Sequence, residues 1–267
     1  MVSQHGGYED WEFVAEYYDA AYETARQKDL DFFMDYSRRA DGRTLELGCG
    51  TGRVLIPTAT AGCEITGLDM SSYMLKICRE KLSQQSAEVQ ERVRLVQGDM
   101  TDFDTGETYS LVTTPFRPFQ HLITVDEQKA CLNCANRHLV PGGLLILDLF
   151  HPRLQRLIPD PQYMPEVEDL PERKLPDGRL FRRTNRTVGY HREQQYNDIE
   201  IIYYITHPDG RQERLVQAFP FRYFFRYEVE HLLELCGFRV VDIFGDYDHS
   251  PFSNDSQEMI FIAEKRD

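Results

Sequence analysis

Apolar residues recur along the chain in two alternating rhythms. Short, nearly continuous apolar runs at 43–48, 63–69, 92–97, 108–114 and 143–150 have the length and content of buried strands. Segments with apolar positions at helical spacing separate them and predict helices at 52–61, 72–85 and 126–138. Such alternation implies a parallel sheet with helices on both faces and right-handed crossovers. Ahead of the first strand, Trp11, Val14, Ala15 and Tyr18, then Phe32, Phe33 and Tyr36, predict two further helices.

Residues 151–225 break the rhythm. Pro152, Pro159, Pro161, Pro165, Pro171 and Pro176 predict an irregular connection, and three β-type runs follow at 179–190, 196–206 and 212–225. His207-Pro208-Asp209-Gly210 joins the last two with a strong hairpin signal. An inserted antiparallel sheet is expected. Arg226 to Cys236 is then an amphipathic helix ended by Gly237, and strands at 238–245 and 259–264 close the core, the loop between them being long enough to reach the site. The organisation expected is two helices over 1–40, a core of 41–150 with 226–267, and the inserted sheet over 151–225. The fold class is α/β: a Rossmann-like, seven-stranded, mostly parallel sheet with an inserted antiparallel β-sheet.

The chemistry gathers at the first strand. Thr44-Leu45-Glu46-Leu47-Gly48-Cys49-Gly50-Thr51-Gly52-Arg53 runs from apolar strand into three glycines and on into Val54-Leu55-Ile56. Glycine removes Cβ where the backbone must turn sharply or touch a ligand, and N–H groups at the start of a following helix favour an anionic partner. Dinucleotide loops look alike, so the later strand ends decide. The second ends in Gly67-Leu68-Asp69, suited to ribose hydroxyls. The third ends in Gly98-Asp99-Met100, where a carboxylate can accept from an exocyclic amine and an apolar side chain can cover a purine. That set describes an adenosine pocket without a pyrophosphate site. Helix capping is the alternative for each acid, and two acids at matching strand ends make it the lesser one.

With Pro141-Gly142-Gly143 before the fifth strand as a fourth signal, the chain resembles the class I S-adenosylmethionine-dependent methyltransferases. The resemblance is close over 41–150; in layout the flanks are similar to small-molecule N-methyltransferases, including those acting on amino sugars, which implies 1–40 as N-terminal lid helices and 151–225 as a substrate cap or an oligomer contact, such as that of a homodimer. It implies S-adenosyl-L-methionine as co-substrate, with the backbone of Gly48, Cys49, Gly50 and Gly52 at the methionine moiety and Glu46 stiffening the loop. It also implies Asp69 at the ribose, Met70 and Met74 along the adenine, Asp99 at its amino group, Met100 presenting a backbone N–H, and Thr114 at the fourth strand end. Methyl transfer from a sulfonium is an in-line displacement needing mainly alignment in a dehydrated pocket, and no metal is expected.

The fourth strand end, Thr113-Thr114-Pro115-Phe116-Arg117-Pro118-Phe119-Gln120-His121-Leu122, lacks the Asn or Asp followed by Pro-Pro-Tyr of enzymes that methylate base or glutamine amides. It looks like the Phe-x-x-His-Leu end of small-molecule N- and O-methyltransferases. Imidazole exchanges protons near neutral pH, so His121 is the candidate base, with a core or capping histidine as the alternative. Tyr18, or Tyr17 beside it, is the candidate to close the site from the lid helices. Arg117, Arg183, Arg222 and Arg226 are candidate cations for an anionic acceptor; solvated arginines on strand faces are the alternative.

Composition narrows the acceptor. A formal net charge of −14 removes the basic footprint of a nucleic-acid or anionic-membrane partner, and no apolar run approaches a membrane span. Met1 to Gly7 lacks the layout of a targeting signal, so a soluble cytoplasmic protein with a small-molecule acceptor is expected. The six cysteines are scattered, and Cys131-x-x-Cys134 lacks a second ligand pair at zinc spacing. The rival functions are an NAD(P)-dependent oxidoreductase, which Asp99 and the G-x-G-x-G spacing oppose, and a donor-binding protein without catalysis.

Overall fold

A computed structural model describes residues 8, 11–22, 27–153, 157–158 and 165–266. The segment 1–7 and prolines 159 and 161 lie outside the described residues. Helices α1 (Glu12–Tyr22) and α2 (Gln27–Arg39) lead into an alternating core of β1 (Thr44–Leu47), α3 (Leu55–Thr60), β2 (Ile65–Asp69), α4 (Ser72–Ser83), α5 (Ala87–Glu91), β3 (Val93–Gln97), β4 (Tyr109–Thr114), α6 (Val125–His138) and β5 (Leu139–Phe150). After the insert come α7 (Arg226–Leu235), β10 (Phe238–Phe244) and β11 (Glu258–Lys265). The sheet order is β10-β11-β5-β4-β1-β2-β3. Its neighbours are parallel except β11, which runs against both β5 and β10. The antiparallel strand β11 therefore lies one place in from the edge, with β10 outside it.

The seven-stranded, mostly parallel sheet follows the apolar pattern closely, and the departures have local causes. Strand β1 is buried at all four positions, as a central strand covered on both faces must be. Helix α3 is shorter than expected: residues 51–54 are a turn, and Pro57 sits inside its six residues. Pro141-Gly142-Gly143 does not precede β5 but lies within it, where pairing with β4 shifts register between Tyr109 and Leu111.

The insert is a four-stranded antiparallel sheet, ordered β6 (Val167–Lys174), β7 (Leu180–His191), β8 (Tyr196–Thr206) and β9 (Gln212–Arg222). Strand β6 was not expected, because Val-Glu-Asp-Leu-Pro-Glu-Arg-Lys is charged and contains proline. Both features suit an edge strand, and Pro171 falls where pairing with β7 slips between Leu170 and Arg173.

Helix α1 joins the two sheets. Tyr17 and Ala21 pack with Phe181, Tyr203 and Ile205 of the insert, while Val14 and Ala15 pack with Met74 of α4 and with Tyr18. Asp19 fixes its height over the glycine loop, accepting from Thr51 Oγ1 at 2.6 Å and from Lys81 Nζ at 2.9 Å. Phe181 is fully buried, and its ring lies 5.3 Å from that of Tyr17. Phe181→Ala should cost about 3–5 kcal/mol in urea unfolding, and faster amide exchange in α1 should accompany it.

Candidate active site

The carboxyl ends of β1, β2, β3 and β4 surround one partly open pocket. It lies where the strand order reverses between β1 and β4, the usual ligand crevice of such a sheet. Gly48, Gly50, Asp69, Met70, Met74, Gly98, Asp99, Met100, Tyr18 and His121 line it, so the residues singled out at four strand ends meet at one place. Glu46, Cys49, Gly52 and Thr114 stand outside the lining. Thr114 spends its hydroxyl on the backbone of β5, bonding Ile146 O and Asp148 N–H.

The glycine loop is shaped by backbone it alone can adopt. Gly48, Gly50 and Gly52 have φ of 71°, 54° and 80°, and a Cβ on Gly48 would stand 2.7 Å from Pro118. At Gly50 the space around a built Cβ is open to 4 Å, which leaves room for a ligand against the main chain. Asp69 Oδ2 accepts from Gly50 N–H at 2.7 Å, and its Oδ1 from Ser71 N–H at 2.8 Å. Capping of α4 falls instead to Ser71, whose Oγ accepts from Met74 N–H. Asp99 Oδ1 accepts from both Thr101 N–H and Thr101 Oγ1, a local turn ahead of no helix. Neither acid caps a helix.

Beneath the loop lies an unusual acid. Glu46 is 2% exposed, and its Oε2 is buried with no hydrogen-bond partner. Burial pushes its carboxyl up to about 8, against the pull of Arg53 and with a further push from Asp69 and Asp29. Arg53 itself is held by Asp29 through two bonds of 3.0 and 2.6 Å. The fully buried Cys49 thiol is likewise raised by burial.

The outer wall is aromatic. Tyr18 and Phe116 line it, and burial raises the Tyr18 hydroxyl pKa well above its ordinary value. Tyr17, the alternative, points away into the insert and donates its position to packing, with Arg179 on its hydroxyl. Tyr8 completes the wall, its ring edge-on to His121 at 5.7 Å and to Tyr18 at 6.3 Å. Its backbone carbonyl accepts from Ser71 Oγ, and Gln217 of β9 hydrogen-bonds its hydroxyl. Tyr8 was not anticipated, since a lone tyrosine before the first helical repeat carries no periodic signal. His121 ends the short 3-10 helix Pro118–His121 and also faces Phe219 and Phe221, each at 5.2 Å.

The fourth strand end reaches this arrangement through strained backbone. Phe116 and Arg117 take successive left-handed conformations, φ 65° and 67°, each costing on the order of 1–3 kcal/mol for a residue with a side chain. The turn throws Phe116 into the pocket and Arg117 away from it. Arg117, 2% exposed, pairs with Glu258 and Tyr247 Oη, while Asp148 accepts from Phe116 N–H and Tyr247 Oη. The expected acceptor cation at 117 is therefore a buried structural one. Arg222 is likewise occupied by Glu228 and the carbonyls of Ile123 and Gln194, and Arg226 pairs with Glu230 on the surface.

Residues 44–143 match a family model described as a methyltransferase domain. That stretch is a methyltransferase domain of the class I S-adenosylmethionine-dependent type. This methyltransferase is 26% identical over 230 residues to a cypemycin N-terminal methyltransferase of Streptomyces sp, covering 86% of each chain. To the dTDP-3-amino-3,4,6-trideoxy-alpha-D-glucopyranose N,N-dimethyltransferase of Streptomyces venezuelae it is 26% identical over 203 residues, 73% of this chain and 75% of the relative. Its fold matches the CcbJ methyltransferase of Streptomyces caelestis with a TM-score of 0.75 at 22% identity, over 99% of this chain and 100% of the other. The oxidoreductase alternative is thereby set aside, and the methyl donor is S-adenosyl-L-methionine. The methyltransferase's own residues fit that donor: an open face at Gly50, an unpartnered carboxylate oxygen on Glu46, and two acids at adjacent strand tips. Among the described residues no cluster of three or more metal-ligating side chains occurs, and no helix is long and apolar enough to cross a membrane.

Two expectations follow. Because the folded-state value of Glu46 lies above the ordinary 4.5, the donor-free fold holds a proton that the unfolded chain releases between pH 4.5 and about 8. The stability it contributes is full below pH 4.5 and is lost as pH rises through about 8. Glu46→Gln should flatten that fall by up to one proton, about 1.4 kcal/mol per pH unit, in urea unfolding at stepped pH. Arg117→Met should cost about 3–5 kcal/mol in the same assay, because it leaves Asp148 and Glu258 buried without their cation.

Proposed function

We propose that this methyltransferase transfers a methyl group to an amine nitrogen of a small polar molecule, held between the donor pocket and the inserted sheet. The observation that carries this reading is the aromatic chamber of Tyr8, Tyr18, Phe116 and His121 at the outer end of the pocket, beyond the strand tips. Aromatic faces attract cations, and both a sulfonium and a protonated amine are cationic. A relative named for the N-terminus of cypemycin and another named for an amino sugar support an amine acceptor. The acidic balance of the chain, −14, supports a small acceptor over a nucleic acid.

In this reading Gly48 and Gly50 receive the methionine part of the donor on their backbone, Asp69 accepts from the ribose hydroxyls, and Asp99 accepts from the adenine amine. Met70, Met74 and Met100 cover the ring. Bound there, the donor supplies an activated methyl on sulfur, which leaves as the acceptor lone pair attacks in line. Tyr18 and Tyr8 restrict the acceptor to that line and exclude water. His121 takes the proton that the acceptor nitrogen must lose to expose its lone pair. Helix α1, fixed to the glycine loop through Asp19 and Thr51, acts as the lid, and the insert acts as the cap.

Turnover of donor carrying a labelled methyl, against matched panels of amines and alcohols, tests the reading. Transfer to amines is expected. His121→Gln should lower kcat about a hundredfold or more while leaving affinity for S-adenosylhomocysteine unchanged. Transfer confined to alcohols would overturn the nitrogen assignment, and unchanged kcat in the variant would remove His121 as the base.

A further inference from the structure

The loop between β10 and β11 sends one side chain towards the strand tips. Its backbone is tied down, with Gly245 N–H donating to Ser250 O at 2.8 Å and Phe252 N–H to Ile243 O at 3.2 Å. Tyr247 points inward from it. The residue is 8% exposed, and the rings of Phe32 and Phe33 on α2 lie 5.8 and 6.3 Å from its own. Its hydroxyl donates to the carboxylate of Asp148 on β5, 3.1 and 3.0 Å from the two oxygens, and accepts from Arg117 Nη2 at 3.3 Å.

Those two partners hold the two halves of the strained turn after β4. Asp148 Oδ2 accepts from Phe116 N–H at 3.0 Å, and Arg117 is clamped by Glu258 as well as by Tyr247. Both turn residues have positive φ, 65° and 67°, although each carries a side chain. Backbone of that kind persists only where its surroundings over-determine it. One tyrosine hydroxyl, donor and acceptor at once, ties the carboxylate under residue 116 to the guanidinium of residue 117. Asp148 is fully buried, so a bond lost there leaves an acceptor unfilled in the interior.

What the turn delivers is the Phe116 ring. That ring lines the pocket and stands edge-on to Tyr22 at 4.7 Å and to Tyr18 at 6.1 Å, so it is where the fourth strand end meets α1. Tyr247 is not among the lining residues, and its influence on the reaction runs through the turn. Resting on the reading of the aromatic chamber as the acceptor site, we propose that Tyr247 is a positioning residue for methyl transfer. Its hydroxyl, through Asp148 and Arg117, holds the Phe116 ring where that ring confines the acceptor. The effect falls on the acceptor side, because Asp69 and Asp99 are tied to other segments of main chain.

Tyr247→Phe keeps the ring and removes the hydroxyl. The control is Tyr109→Phe, which removes the hydroxyl that meets Glu107 at the amino end of β4. Both are made in the full chain and assayed with whichever amine of the panel above wild type methylates fastest. Tyr247→Phe should raise acceptor KM about tenfold, hold kcat within about threefold and leave affinity for S-adenosylhomocysteine unchanged, while the control matches wild type throughout. A merely structural role would shrink the folded fraction, which lowers kcat and not KM. The second readout needs no acceptor. With para-fluorophenylalanine at position 116 and the chain saturated with S-adenosylhomocysteine, Tyr247→Phe should shift or split the fluorine resonance, and the control should not. An unmoved resonance, an unchanged KM, or a KM that Tyr109→Phe raises as far overturns the proposal. If Tyr247→Phe does not fold, Glu258→Gln, which loosens the grip on Arg117, is judged by the same criteria. Should no amine be methylated, the acceptor reading falls, while the fluorine resonance still decides whether Tyr247 positions Phe116.

Discussion

One carboxylate sets the geometry on which the rest depends. Asp69, at the tip of β2, accepts from the backbone of Gly50 in the loop after β1 and from Ser71 at the start of α4. The loop after β1 and the start of α4 are thus held by one rigid group, and charge-assisted bonds to backbone N–H are among the stronger ones available. Gly50 can present its N–H this way because it adopts a left-handed conformation without a Cβ penalty. Ser71 passes the constraint outward, capping α4 and bonding the carbonyl of Tyr8. The position of the outer wall is thus referred back to the same strand tip that borders the donor pocket.

The second organising feature is a helix buried on two sides. An ordinary surface helix hides one stripe, yet α1 hides Tyr17 and Ala21 against the insert and Val14 and Ala15 against the core. The insert needs that contact, because its inner face carries Phe181, Tyr203 and Ile205, all nearly fully buried. Specific polar links, Asp19 to Thr51 and Lys81, set the height of the helix, while apolar burial supplies the adhesion. Such a division fits an element that must sit accurately without being fused to the core.

Much of this was legible in the chain because it is local. The strand, glycine loop and strand-end acids each occupy a few consecutive residues, and periodicity alone separates strand from helix in a two-sided parallel sheet. What stayed hidden is long-range. Arg117 looked like a free cation beside the pocket, and its partner Glu258 lies 141 residues away. The bond from Tyr8 to Gln217 follows from how the insert folds back over α1, which no spacing encodes. Strand β6 was masked by its own edge chemistry, since charge and proline depress the strand signal while protecting the edge. The turn at Phe116 and Arg117 was invisible for a related reason: nothing in either residue type favours positive φ, and distant carboxylates hold it there.

The distribution of charge around the pocket bears on catalysis under the proposed assignment. Stabilisation that a donor feels equally before and during transfer binds it without accelerating the reaction. Glu46 lies under the glycine loop and Asp69 and Asp99 at the strand tips, beside the ammonium, ribose and adenine, whose charges do not change as the methyl moves. The reacting end faces Tyr8, Tyr18, Phe116 and His121, where no carboxylate is among the lining residues of the wall. A carboxylate there would favour the concentrated charge of the sulfonium ground state over the dispersed charge of the transition state. Polarisable ring faces discriminate less between the two, so binding strength can be invested at the unreactive end while the reactive end is left to alignment and dehydration.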